Sequence, residues 1–94
     1  MSVQSTIESK LTKALDPEFL EVVNQSHEHA GHQHGSTDSH FMVVIVSSQF
    51  VGISRVARHQ LVYRILSEEL QSPVHALVVK TYTPDEWLKI AVSN

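Results

Sequence analysis

His40-Phe41-Met42-Val43-Val44-Ile45-Val46 is the stretch on which the fold turns. It is apolar and rich in β-branched residues, which favour extended backbone. A run this short, bounded by polar sequence, reads as a well-covered strand. Upstream, Phe19 to Ser26 reads as a second strand, with Leu20 and Val22 on one face and Phe19 and Val23 on the other. Between the two lies a Gly-, Ser-, His- and Asp-rich segment, expected to be a solvated, flexible loop over residues 27–39. Two strands joined in this way suggest an antiparallel hairpin.

Further out the pattern turns helical. Ser5-Thr6-Ile7-Glu8 has the form of a capping box, and Ile7, Leu11, Ala14 and Leu15 follow at helical spacing until Asp16-Pro17 stops them. After the central strand, Ser47 to Ser54 reads as a turn holding Gly52 and a short helix. From Arg55 to Leu70 the spacing is helical again, with Val56, His59, Val62, Tyr63, Leu66 and Leu70 on one stripe. Ser72-Pro73 breaks the chain before a third strand, Val74 to Tyr82. Thr83-Pro84-Asp85-Glu86 then forms a second capping box, opening a short helix that Trp87 and Leu88 fold back onto the body. The expected fold is α+β: one domain over residues 1–94, its core at about residues 5–90, with a three-stranded sheet covered by helices on one face.

The chain has 94 residues, seven basic against ten acidic side chains, a net charge of −3 and no cysteine. That balance argues against a generic nucleic-acid binder, which needs a basic surface to displace phosphate counterions. No apolar leader and no run of membrane-spanning length is present, so a cytoplasmic protein without membrane contact is expected. Without thiolates the chain cannot by itself hold an iron–sulfur cluster or a cysteine-type zinc site.

Four of the seven histidines, His27, His29, His32 and His34, fall in the polar loop. Their H-x-H and H-x-x-H spacings can bring two imidazoles onto one ion; a solvated loop that picks up metal adventitiously is the plainer reading. His75 opens the third strand, where it either hydrogen-bonds a backbone carbonyl or points out at the sheet's rim. His59 lies in the apolar stripe and is expected to be hydrogen-bonded within the core; His40, at the mouth of the central strand, is expected to be positional. Arg55, Arg58, Arg64 and Lys80 are the one concentration of positive charge, read either as a solvated helix edge paired with Glu68 and Glu69 or as a phosphate-contacting face. Nucleophile elbow, phosphate loop and H-E-x-x-H motifs are all missing, and no enzymatic activity is expected.

The assembled pattern resembles the BolA family from about Ile7 to Leu88. The segments that carry the likeness are Phe19-Leu20-Glu21-Val22-Val23, Ser39-His40-Phe41, Phe50-Val51-Gly52, Arg58-His59-Gln60-Leu61-Val62-Tyr63, Leu70, Val74-His75-Ala76-Leu77 and Thr81-Tyr82-Thr83-Pro84-Asp85-Glu86-Trp87. The resemblance implies an α-β-β-α-α-β fold similar to the class II KH domain, with Gly52 to Ser54 beginning a short extra helix. It implies a monothiol glutaredoxin as partner in a heterodimer. A [2Fe–2S] cluster is then shared between the glutaredoxin cysteine, glutathione and this chain, and none is bound by the isolated chain. The histidine matching His75 is the family's C-terminal ligand, and the second comes from the loop, where His29 ranks ahead of His34 and His32. The functions implied are iron–sulfur trafficking or iron and redox regulation. The alternative is a DNA-binding transcriptional regulator of stress response and cell morphology that uses Arg55, Arg58, Arg64 and Lys80. A histidine-only metal buffer is a weaker third reading, and a weak homodimer of the unliganded chain is left open. KH-style RNA binding is not expected, because Gly52-Ile53-Ser54-Arg55 holds one glycine where the nucleic-acid clamp uses G-x-x-G.

Overall fold

A computed structural model describes residues 2–25, 40–71, 74 and 76–93, the last by its backbone. Helix α1 (Val3–Leu15) is followed by strands β1 (Phe19–Asn24) and β2 (His40–Val46). A 3-10 turn at Ser48–Phe50 leads into α2 (Arg55–Ile65) and α3 (Ser67–Gln71), then β3 (Ala76–Tyr82) and α4 (Pro84–Ser93). The sheet order is β1-β2-β3. β1 and β2 form the expected antiparallel hairpin, with Val22 opposite Val43, whereas β3 runs parallel to β2, with Val79 opposite Val43. The apolar run of β2 is thus the central strand.

One face of the sheet carries Val22, Phe41, Val43, Ile45 and Val79 into a core completed by Ile7, Leu11 and Leu15 of α1, Phe50 of the 3-10 turn, Val62 of α2, and Leu66 and Val74. The burial of this apolar area drives the assembly. Buried polar groups fix the seams. Ser47 Oγ donates to the Leu15 carbonyl at 2.6 Å, closing the end of α1 against the start of the 3-10 turn. The other sheet face is capped at one end by Trp87, whose ring stacks on Phe19 (centroids 5.3 Å apart) and tilts against Tyr82 (5.2 Å).

Several boundaries differ from expectation for identifiable reasons. Helix α1 begins at Val3 because Ser2 is the N-cap, its Oγ accepting from the Ser5 N–H at 3.0 Å. Ser5-Thr6-Ile7-Glu8 is therefore inside the helix. The short extra helix precedes Gly52 rather than starting there, since Gly52 takes a left-handed φ of 81° that ends the 3-10 turn. The long helix divides at Leu66, which leaves helical geometry before α3. β1 closes at Asn24 and β3 opens at Ala76, two residues inside the expected spans at the loop end of β1 and at the start of β3.

The apolar stripe of the long helix also lies elsewhere. Val56 is 69% exposed and Tyr63 is exposed, while the buried line runs through Arg58, Val62 and Leu66. His59 is half-buried rather than within the core. The helix is turned so that Arg58, not an apolar neighbour, occupies the inward position.

Thr81 Oγ1 is buried without a hydrogen-bond partner, and an unmet buried hydroxyl costs stability. Thr81→Val is expected to raise the unfolding free energy by about 1 kcal/mol, read from the midpoint of urea denaturation. A lower midpoint would show that the hydroxyl has a partner.

Candidate functional site

Two ends of the sheet differ in character. At one end, β1 finishes, β2 begins and β3 begins. The Gln25 N–H donates to the His40 carbonyl at 2.8 Å, and His40 stands opposite Ala76 across the parallel ladder. Adjacent strands are about 4.8 Å apart, so the backbone on which residues 26–39 end and the backbone to which residue 75 is bonded are neighbours on one rim. His29, His32, His34 and His75 themselves lie outside the described residues. Next to the rim, on the face away from α1 and α2, Ala76 and Val78 are exposed and Met42 and Val23 are half-buried, which makes the flank of the rim apolar. Among the described residues no group of three His, Asp or Glu side chains could hold a metal ion unaided.

The opposite end is a lock built on Arg58. Its side chain is only 5% exposed overall. The Nε donates to the Ile53 carbonyl at 2.8 Å, and Nη1 and Nη2 donate to the two Glu86 carboxylate oxygens at 2.7 and 3.2 Å. The guanidinium also lies 5.8 Å from the centre of the Phe50 ring. Glu86 is the second residue of the expected capping box, which forms as read. The Thr83 N–H donates to its Oε1 at 2.9 Å, and the Glu86 N–H donates to Thr83 Oγ1 at 3.1 Å. The Arg58 guanidinium, with the Thr83 backbone N–H, holds the Glu86 carboxyl down at about 2.

This geometry dismantles the expected cationic cluster. Arg58 is consumed inside the fold, and Glu68 and Glu69 pair with Lys10 of α1, at 2.7 and 2.8 Å, rather than with the arginines. Lys80 is exposed on the sheet face opposite the one α2 covers. Arg55, whose Nη1 reaches the Thr81 carbonyl at 3.5 Å, and Arg64 remain exposed near opposite ends of α2, about 13 Å apart along the helix. Sequence reading missed the lock because Arg58 sits at a helical position that burial normally forbids to a charge. The available signal was the Thr83–Glu86 box, whose carboxylate has capacity for a second partner.

The family model for BolA-like proteins matches residues 11–86. The chain belongs to the BolA family. The match takes in both the rim and the Arg58–Glu86 lock. The DNA-binding transcriptional regulator BolA of Haemophilus influenzae is 46% identical over 87 residues, 93% of this chain and 82% of that protein. Among solved structures, BolA1 from Arabidopsis thaliana superposes with a TM-score of 0.84 at 40% identity, covering 92% of this chain and 96% of that one. The BolA domain of SufE1 from Arabidopsis thaliana gives 0.83 at 45% identity over the same shares. The observed architecture is accordingly a BolA fold. Among the described residues no helix is long and apolar enough to cross a membrane.

The lock predicts a pH signature. Glu86 titrates lower in the folded chain than the ordinary 4.5, so its contribution is complete above about pH 5 and is lost as pH falls from about 4.5 towards 2. Glu86→Gln is expected to flatten the acid limb of a stability–pH profile measured by chemical denaturation. Arg58→Ala is expected to cost about 2–3 kcal/mol, because it strands the Ile53 carbonyl and uncovers Phe50.

Proposed function

We propose that this BolA-family chain is an adaptor that binds a monothiol glutaredoxin and contributes imidazole ligands to a shared [2Fe–2S] cluster, in iron–sulfur trafficking or iron and redox regulation. The observation that supports it most is the rim. The register sets His40, which follows the loop histidines in the chain, opposite Ala76, which follows His75. The donor set agrees. This chain has imidazoles and no thiolate, so thiolates come from the partner's cysteine and from glutathione. His75 is the first ligand, and His29, ahead of His34 and His32, is the second. Neutral imidazole in place of thiolate removes negative charge and raises the reduction potential of such a cluster. The role of this chain is to hold unprotonated imidazoles on a rigid rim and to present the apolar flank of Val78 and Ala76 to the partner. A BolA domain also occurs as part of SufE1, which suits a module that works by contact with other domains.

The name of the Haemophilus influenzae relative favours a second reading, DNA-bound regulation. Of the four cations named for it, Arg55, Arg64 and Lys80 are exposed, and they do not share one face.

Reconstitution with a monothiol glutaredoxin, glutathione, iron and sulfide, followed by visible circular dichroism, tests the first reading. The expected result is a heterodimer spectrum distinct from that of the glutaredoxin alone, changed by His75→Ala and weakened as pH falls through about 6.5. An unaltered spectrum and stability for His75→Ala would remove the ligand assignment. For DNA, binding should fall steeply with salt and the slope should shrink with Arg64→Ala; no binding at low salt would end that reading.

A further inference from the structure

Helix α3 is too short to be stable alone. It has five residues, none of them fully buried, whereas an isolated helix needs about 12 or more. Leu66 ahead of it is in the core, and Leu70 packs partly against that core. Its polar side is held from across the chain by Lys10 of α1, 59 residues from Glu69. The Lys10 Nζ donates to Glu68 Oε1 at 2.7 Å and to Glu69 Oε1 at 3.0 Å, and lies 2.8 Å from Glu69 Oε2. The two carboxylates are not equivalent. The Glu68 side chain is 83% exposed and the Glu69 side chain only 12%, and a carboxylate withdrawn from water is screened less by salt than an exposed one.

Glu69 also acts through its backbone. Its carbonyl accepts the Val74 N–H at 2.9 Å. Val74 is buried in the core, and the next residue in the chain is His75. On the other side of His75, Ala76 stands in the parallel ladder opposite His40. The two chain neighbours of His75 are therefore held by different means, Ala76 by the sheet and Val74 by α3.

We infer that Lys10 is a positioning residue: through the Glu69 side chain it fixes α3, and through the Glu69 carbonyl it fixes Val74, the residue that leads into His75. Its consequence for a shared cluster rests on the adaptor reading proposed above; the positioning step itself does not. Without the ammonium, Glu69 is a largely buried carboxylate without its cation, and it turns outward to water. The helix shifts with it, and the bond to Val74 is weakened. A ligand needs its supporting backbone held to within about 0.5 Å. Leu66, Leu70 and Val74 keep their apolar contacts, so the loosening is local.

Amide hydrogen exchange of the cluster-free chain tests the positioning step. Lys10→Met should speed exchange at Val74 by about tenfold or more, while the Val43 and Ile45 amides of β2 keep their wild-type rates. Lys10→Arg, which keeps the charge, should retain protection. Glu69→Gln should act like Lys10→Met and Glu68→Gln should not, because only Glu69 carries the carbonyl that holds Val74. In the complex reconstituted with a monothiol glutaredoxin, glutathione, iron and sulfide, Lys10→Met should alter the visible circular dichroism and Lys10→Arg should leave it unchanged. Val74 exchange unchanged in Lys10→Met, or a rise shared equally by β2, would overturn the inference. So would a spectrum that responds to His75→Ala but not to Lys10→Met. If the wild-type chain forms no such complex, the adaptor reading falls, and the exchange rates still decide the role of Lys10.

Discussion

The bidentate pair between Arg58 and Glu86 is the constraint on which the rest of the structure depends. A guanidinium this deeply buried must place its donors well or be left as an uncompensated charge. From α2 its donors reach two other places: the Ile53 carbonyl after the 3-10 turn, and Glu86 at the start of α4. The same carboxylate accepts the Thr83 N–H, so the residue that neutralises Arg58 also caps the last helix. The phase of α2 follows. With Arg58 inward, Val62 and Leu66 fall into the core and Val56 is turned out to solvent. The placement of α4 follows too, since fixing Glu86 fixes Trp87 beside it, across Phe19 and Tyr82.

The two ends of the sheet therefore differ in character. At the Tyr82 end the strands are capped by the lock and by an aromatic stack. At the His40 end the described contacts include the Gln25 N–H donating to the His40 carbonyl and the pairing of His40 with Ala76. Of the four basic residues offered for phosphate binding, Arg58 is spent in the lock, while Arg55, Arg64 and Lys80 stay exposed. The His40 end instead presents an exposed apolar flank, Ala76 and Val78.

Most of the fold was legible in the chain because its signals are local. The run from His40 to Val46 announces a covered strand, Asp16-Pro17 an end to α1, and Thr83-Pro84-Asp85-Glu86 a cap that forms as its spacing predicts. Asp16 stops α1 in a left-handed conformation, φ 44°, that its short polar side chain tolerates. Illegible were the features set by tertiary partners. Ser2 capped α1 in competition with Ser5, and both have the same chemistry. The stripe of α2 was misplaced because apolar periodicity assigns an arginine outward, and only the distant Glu86 reverses that. Leu88 was expected inward from its place beside Trp87, but the direction in which Trp87 stacks turns Leu88 away from the body. At the candidate site, sequence supplied the histidines but not the parallel pairing of β3 with β2 that sets Ala76 beside His40.

That pairing rests in turn on the central strand's composition. In a strand, shifting the register by one residue sends every side chain to the opposite face. β2 buries Phe41, Val43 and Ile45 on one face and Val44 and Val46 on the other. A slip would exchange the two sets, displacing Phe41 from the core and Val46 from the end capped by Trp87. The apolar run therefore does more than fill the interior. By pinning Val79 opposite Val43, it fixes Ala76 opposite His40, three residues along the same ladder. The pairing of His40 with Ala76 is thus a consequence of hydrophobic packing well inside the sheet.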